Sequence, residues 1–177
     1  MKLNIGCGND IRDGYVNIDN KKLEGVDLVF DVNKLPLPFD NKSVEFVLCL
    51  DLLEHIDYIS LLGEINRVLK KNGKIEIQVP HFNSRFNFID PTHINRFSIQ
   101  TFEFFLKESF FKREYYNNFY FDHISKRRIR FEKSIFFPWN YILEPIINVS
   151  LSMQIYYEAT FLSRIFPASN IQVWLVK

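Results

Sequence analysis

The chain has 177 residues, enough for one sizeable core, and its 47% apolar and 24% charged content excludes disorder, collagen-like sequence and a coiled coil. Twenty-two basic against 21 acidic groups leave a net charge of +1, so no global field draws it to nucleic acid or anionic membrane. Cys7 and Cys49 are the only cysteines, which excludes a disulfide framework and a Cys-rich metal site and favours a reducing, cytoplasmic compartment.

Met1 to Gly8 runs straight into a strand-like segment and Asp10 precedes any long apolar run, so no secretory leader is expected. Strands are predicted over 2–7, 15–19, 26–32, 44–50 and 74–79, each nearly continuous in apolar residues at its centre, as in parallel strands covered on both faces. Gly8 to Tyr15 is shorter than the dozen or so residues of a usual parallel crossover, so the first connection is a loop or a tiny helix. Pro36 and Pro38 likewise limit Asn33 to Ser43 to a turn or so of helix. Tyr58, Leu61, Leu62, Ile65, Val68 and Leu69 then recur at helical spacing and predict an amphipathic crossover helix, with Asn72-Gly73 as its left-handed stop.

Beyond Pro80 the pattern predicts a helix over Gln100–Lys107, a strand over Phe110–Phe121, two helical pieces between Asn140 and Arg164, and a last strand over Ile171–Val176. This order gives an α/β fold around a mostly parallel sheet, as one domain over 1–177. Its two parts differ: all six glycines precede residue 74, while 16 of 19 phenylalanines lie at or after Phe82. Residues 1–106 therefore form the ligand-binding core, and 107–177 an aromatic-rich extension that ends in a sheet strand.

Leu3-Asn4-Ile5-Gly6-Cys7-Gly8 puts two glycines at the carboxyl end of the first strand, where absent side chains let a ligand approach the backbone. Asp19 ends the second strand, where a carboxylate can accept both hydroxyls of a ribose, and Asp31 ends the third. If these strands are parallel neighbours, their ends converge on one nucleoside crevice. A pyrophosphate cofactor normally needs a third glycine where Ile11 stands, and an acidic residue roughly 20 positions on rather than 11. NAD and FAD therefore lose ground to a phosphate-free nucleoside such as S-adenosylmethionine.

The ordered segments LNIGCG (3–8), GYVNID (14–19), VDLVFDVNKLPLPFDNKSVEFV (26–47), LLEHI (52–56), LGEINRVLKKNGKIEIQVP (62–80) and DPTHINRFS (90–98) resemble class I S-adenosylmethionine-dependent methyltransferases. The resemblance is to a compact group found near glycan and cell-surface polysaccharide biosynthesis. It implies a Rossmann-like sheet with crossover helices and a shortened first crossover. It also implies that Gly6, Cys7 and Gly8 underlie the methionine part of the cofactor, Asp19 holds the ribose, and Asp31 with Val32 faces the adenine. Cys49, Leu50 and Asp51 would pass beside the cofactor and open toward the acceptor. As thiols, Cys7 and Cys49 read as small buried residues with no covalent role.

Methyl transfer is an in-line displacement governed by positioning, and an oxygen acceptor must also lose a proton, a task suited to histidine. His93 with Asp90 is the expected base and orienting carboxylate, His55 the other candidate; His81 and His123 complete the set. No Gly-x-Ser-x-Gly elbow and no His-Glu-x-x-His spacing is present, so hydrolase and metal chemistry are not expected. For the acceptor, Lys126, Arg127, Arg128, Arg130 and Lys133 form a basic cluster, followed by an apolar run to Met153. That pairing suits a lid or interfacial helix that meets an anionic or lipid-linked acceptor, with peripheral contact at the inner membrane face through 126–153, and the expected acceptor is a hydroxyl of a sugar, glycolipid or small metabolite. The alternatives are a catalytically inactive cofactor-binding or interaction protein, and an RNA methyltransferase.

Overall fold

The computed structural model describes residues 1–109, 111 and 118–177. Seven strands, β1 (Lys2–Ile5), β2 (Val16–Asp19), β3 (Leu28–Val29), β4 (Val44–Leu50), β5 (Leu69–Pro80), β6 (His123–Arg130) and β7 (Asn170–Val176), form one sheet in the order β3-β2-β1-β4-β5-β7-β6. The first five are parallel, while β7 runs antiparallel between β5 and β6. The fold is Rossmann-like, and the order reverses at β1, between β2 and β4, where open α/β sheets place their ligand crevice.

The short first crossover contains no helix. Asn4 and Asn17 replace it: the Asn4 Nδ2 group donates to the Asp10 carbonyl at 2.7 Å and to Asn17 Oδ1 at 3.0 Å, and the same oxygen accepts from the Arg12 backbone N–H. Both side chains are buried. A buried polar network thus holds a ten-residue loop against the sheet, each bond satisfying a group that would otherwise be costly to bury.

α1 (Tyr58–Val68) follows the predicted helix, started by Asp57, whose side chain accepts from the Ser60 backbone N–H. It sinks Leu61, Leu62, Ile65 and Val68 completely, each worth about 1.5–3 kcal/mol of apolar burial. Its end differs from the prediction. Leu69 already belongs to β5 and pairs with Val44, after which the register jumps so that Phe46 faces Lys74. Asn72, at φ +63°, turns this irregularity rather than a helix terminus, and its N–H reaches the Lys177 carbonyl. Burial of Leu69 beside Val44 wins over the local stop signal.

The later predictions met more corrections. Thr101–Phe105 forms a 3-10 turn in place of a full helix, because it immediately re-enters extended chain at Leu106. The strand expected over 110–121 lies largely outside the described residues; at its end Phe121 makes an isolated bridge to Leu106. β6 lies instead on the basic segment. Three helices, α3 (Asn140–Ile147), α4 (Leu151–Ala159) and α5 (Leu162–Ile165), stand where two were expected, with a short α2 (Phe86–Ile89) before them. Among the described residues, α1 is the only crossover helix between parallel strands. One continuous buried cluster joins Leu3, Val47 and Ile77 of the parallel strands to Phe121, Tyr157 and Leu175 of the extension.

Candidate functional site

At the carboxyl ends of the parallel strands lie two adjoining cavities. The first, about 310 Å³, is lined by Gly6, Asp19, Asp31, Val32, Asp51 and His55 among others. Gly6 holds φ +71°, which favours glycine, and a Cβ there would meet the end of the Leu52 side chain at 2.9 Å and push it aside. Gly8 is not part of this lining; its N–H donates to Asp19 Oδ2 at 2.8 Å, and the Lys21 N–H donates to Oδ1 at 2.9 Å. Two backbone donors fix the Asp19 carboxylate at the rim, with lone pairs left for a ligand hydroxyl. The Asn33 N–H holds the half-buried Asp31 carboxylate below its usual range.

The expected residues do not all reach this cavity. Cys7 and Cys49 are buried, and neither they nor Leu50 line the cavity. Burial pushes the Cys49 thiol far up, helped by the charges of Glu54 and Asp51.

The second cavity, about 390 Å³, shares Asp51 and His55 with the first and adds Glu54, Gln78, Asp90, His93 and Asn170. Asp51 leaves β4 at φ +50°, a strained conformation for a non-glycine residue. Its carboxylate accepts from Gln78 Nε2 at 3.0 Å and Asn170 Nδ2 at 3.2 Å, which fixes it between the chambers. Burial nevertheless raises its pKa. Glu54, on the turn after β4, is 1% exposed, and burial pushes its carboxyl up to about 8, with the charges of Asp51 and Asp90 adding.

Asp90 and His93 are not hydrogen-bonded: Asp90 Oδ2 stands 3.9 Å from His93 Nε2. The Asp90 carboxylate is taken by Thr92, whose hydroxyl donates to Oδ1 at 2.6 Å and whose backbone N–H donates at 2.8 Å. These bonds keep it below the ordinary carboxylate range. With its hydrogen committed there, Thr92 Oγ1 accepts from His55 Nδ1 at 2.8 Å. The carboxylate therefore orients His55 through Thr92, and in the neutral ring Nε2 carries the free lone pair. The His93 ring stands edge-on to His55 at 4.5 Å, and burial followed by the His55 charge lowers its pKa. His81 is engaged at both nitrogens, by the Asn83 N–H and by Glu158, and His123 lies on exposed β6.

Glu54, Gln78, Thr92 and Asn170 were missed as site residues. Gln78 is the one with a local signal, as a polar residue near the carboxyl end of a buried strand; the others come together only through the long connections of the fold.

A third, apolar groove of about 160 Å³ runs past Phe86, Phe137, Trp139, Ile165 and Phe166, and Phe86 also lines the second chamber. The basic cluster is largely engaged: Arg127 pairs with Glu103, Arg130 and Lys133 pair with Glu144, and Lys126 lies over the Trp174 ring.

Residues 3–77 match the family described as methyltransferase domain. An uncharacterized protein of Methanocaldococcus jannaschii is 33% identical over 95 residues, which cover 48% of this chain and 42% of the relative; the chain thus spans less than half the length of the curated relative it matches. A S-adenosylmethionine-dependent methyltransferase from Archaeoglobus fulgidus superposes with a TM-score of 0.63 at 21% identity, covering 99% of this chain and 85% of that one. A chain from the complex between the Haloferax volcanii Trm112 methyltransferase activator and a methyltransferase gives 0.57 at 16% identity, with 99% and 81% covered. Both structures are similar to this chain in fold.

Proposed function

We propose that this chain transfers the methyl group of S-adenosylmethionine to a hydroxyl oxygen of a glycolipid's sugar head group. The observation that carries this reading is the wall of Asp51 and His55 shared by the two cavities at the switch point of the sheet. A cofactor in the first cavity and an acceptor in the second would meet across that wall, as an in-line displacement demands. Asp19 would hold the ribose diol, Asp31 and Val32 the adenine side, and the Gly6–Gly8 turn the methionine part.

In the transfer, the bond from acceptor oxygen to methyl carbon forms as the carbon–sulfur bond breaks, and sulfur keeps the electron pair as S-adenosylhomocysteine. The hydroxyl proton passes to His55 Nε2. His55 is preferred to His93 because it lines both cavities and is oriented by Thr92 and Asp90. An oriented base of this kind contributes on the order of 10²–10⁴ in rate.

The lining of the second chamber supports a neutral polyhydroxyl head: carboxyl and amide groups from Asp51, Glu54, Gln78, Asp90 and Asn170 offer hydrogen bonds, and their charges disfavour a phosphate backbone. The apolar groove joined to it through Phe86 suits an alkyl chain. In the segment that supplies Phe137 and Trp139 to the groove, Ile135, Phe136, Trp139, Ile142 and Val149 are exposed, apolar residues suited to lying on the inner membrane surface. No helix among the described residues is long and apolar enough to cross a membrane.

The test is release of S-adenosylhomocysteine from S-adenosylmethionine with glycolipid, free-sugar and RNA pools offered separately. Release with the glycolipid pool is expected. Tight cofactor binding without release from any pool would favour the inactive binding module instead.

A further inference from the structure

Glu54, His55 and His93 converge in the second chamber, one ligand atom from each lying within 4.8 Å of the other two. We infer that these three side chains form a binding site for one divalent transition-metal cation, of the borderline kind that prefers imidazole nitrogen. The inference goes beyond methyl transfer and does not depend on it.

Four observations carry it. The first is missing partners: Glu54 Oε2 and His93 Nδ1 are buried and make no hydrogen bond, although Glu54 is 1% exposed and the His93 side chain 7%. Native proteins rarely leave such atoms unmatched, and a bound ion is one of the standard reasons for it.

The second is ligand chemistry. Two imidazoles and one carboxylate are a donor set for zinc, cobalt or iron(II) rather than magnesium or calcium, which select oxygen. Around zinc at its usual bond lengths, neighbouring ligand atoms lie about 3.3 Å apart, so modest side-chain rotation closes the cluster. Three protein ligands leave coordination positions open toward the chamber.

The third is orientation. A metal-ligating histidine usually donates its other ring N–H to an acceptor, and His55 does so through Nδ1 to Thr92, itself anchored on Asp90. The fourth is support from the backbone. The Ile94 and Asn95 N–H groups both donate to the Glu54 carbonyl, at 2.8 and 3.1 Å, and Asn95 Nδ2 donates to the Leu53 and Ile56 carbonyls. These bonds stitch the loop carrying His93 to the turn carrying Glu54 and His55, so the two segments are held together before any ion arrives. The chamber lining also holds three carboxyl groups and, among the described residues, no lysine or arginine.

A lone pair given to a cation is unavailable to a proton, so cation and transferred proton compete at His55. Spacing in the chain concealed the cluster, because its histidines come from two distant segments.

The experiment is calorimetric titration of the tag-free chain with Zn²⁺ or Co²⁺ alone, without cofactor or acceptor. One cation per chain is expected, unaffected by excess Mg²⁺, with affinity lowered tenfold or more in Glu54→Gln and in His93→Asn and unchanged in His123→Ala. Cobalt should add visible absorption that Glu54→Gln diminishes. Thermal melting of each variant checks folding, and the near-isosteric Glu54→Gln decides the matter if His93→Asn unfolds. Absence of a stoichiometric site below millimolar cation, or equal affinity in Glu54→Gln and the unmodified chain, overturns the inference; neither result bears on methyl transfer, which the product assay reads separately.

Discussion

The Asp19 carboxylate accepts the Gly8 backbone N–H at 2.8 Å, tying the end of β2 to the glycine turn that leaves β1. One side chain therefore both shapes the turn and faces the cavity. Asp19→Ala should weaken S-adenosylmethionine binding by about 1–3 kcal/mol, the worth of charge-assisted hydrogen bonds lost to ligand and loop. Calorimetry against the unmodified protein measures this, and equal affinities would remove Asp19 from the ribose site.

Gly6 and Gly8 both have positive φ, but their surroundings differ. A Cβ at Gly6 meets Leu52, whereas one at Gly8 meets nothing within 4 Å. Gly6→Ala should thus cost about 2–3 kcal/mol from left-handed strain and overpacking together, and Gly8→Ala about 1–2 kcal/mol from strain alone. Urea unfolding of the two variants tests the ordering.

The parallel half was legible because its signals are local: continuous apolar strands such as Val44–Leu50, and the helical repeat from Tyr58 to Val68. Gly6, Asp19 and Asp31 were legible as strand-end residues, and all three line the first cavity. The rest depended on contacts that no local pattern encodes. β6 reads as a charged run since Lys126, Arg127 and Arg130 meet the Trp174 ring, Glu103 and Glu144, partners supplied from other segments. Thr92 looked unremarkable beside His93 because its partner, His55, lies 37 residues earlier. Asn72-Gly73 misled because it carries the expected left-handed turn, but inside a strand.

Thr92 transmits the Asp90 carboxylate to His55 and touches neither proposed ligand pocket. Thr92→Val keeps the shape and removes both hydroxyl bonds, so kcat should fall about tenfold to a hundredfold with little change in cofactor affinity. Thr92→Ser should restore most of it. A shift in the pH profile of Thr92→Val, absent in Thr92→Ser, separates orientation of His55 from a general packing defect.

Cys49 is fully buried, and burial raises its thiol pKa well above the ordinary value. The unfolded chain releases this proton near pH 8.5 while the folded chain retains it. Above that pH the folded state binds more protons, so stability falls as pH rises, by at most about 1.4 kcal/mol per unit from this group. Cys49→Ala should flatten the slope of urea-derived stability between pH 8.5 and 10. The native protein should also resist thiol reagents at pH 7 and expose both cysteines on denaturation.

Arg127 and Glu103 make the tightest ion pair of the basic strand, 2.5 Å apart with side chains 17% and 11% exposed. In so dry a setting, loss of one partner strands the other's charge. Arg127→Met should therefore destabilise the fold by about 3 kcal/mol, as should Glu103→Leu with its own mate left unmatched. The double variant buries two apolar side chains in place of two charges and should recover most of that loss. A double-mutant cycle by urea unfolding measures the coupling. A basic strand committed to an anionic ligand would behave otherwise: Arg127→Met would leave stability untouched and weaken ligand binding alone, and the cycle would show no coupling to Glu103.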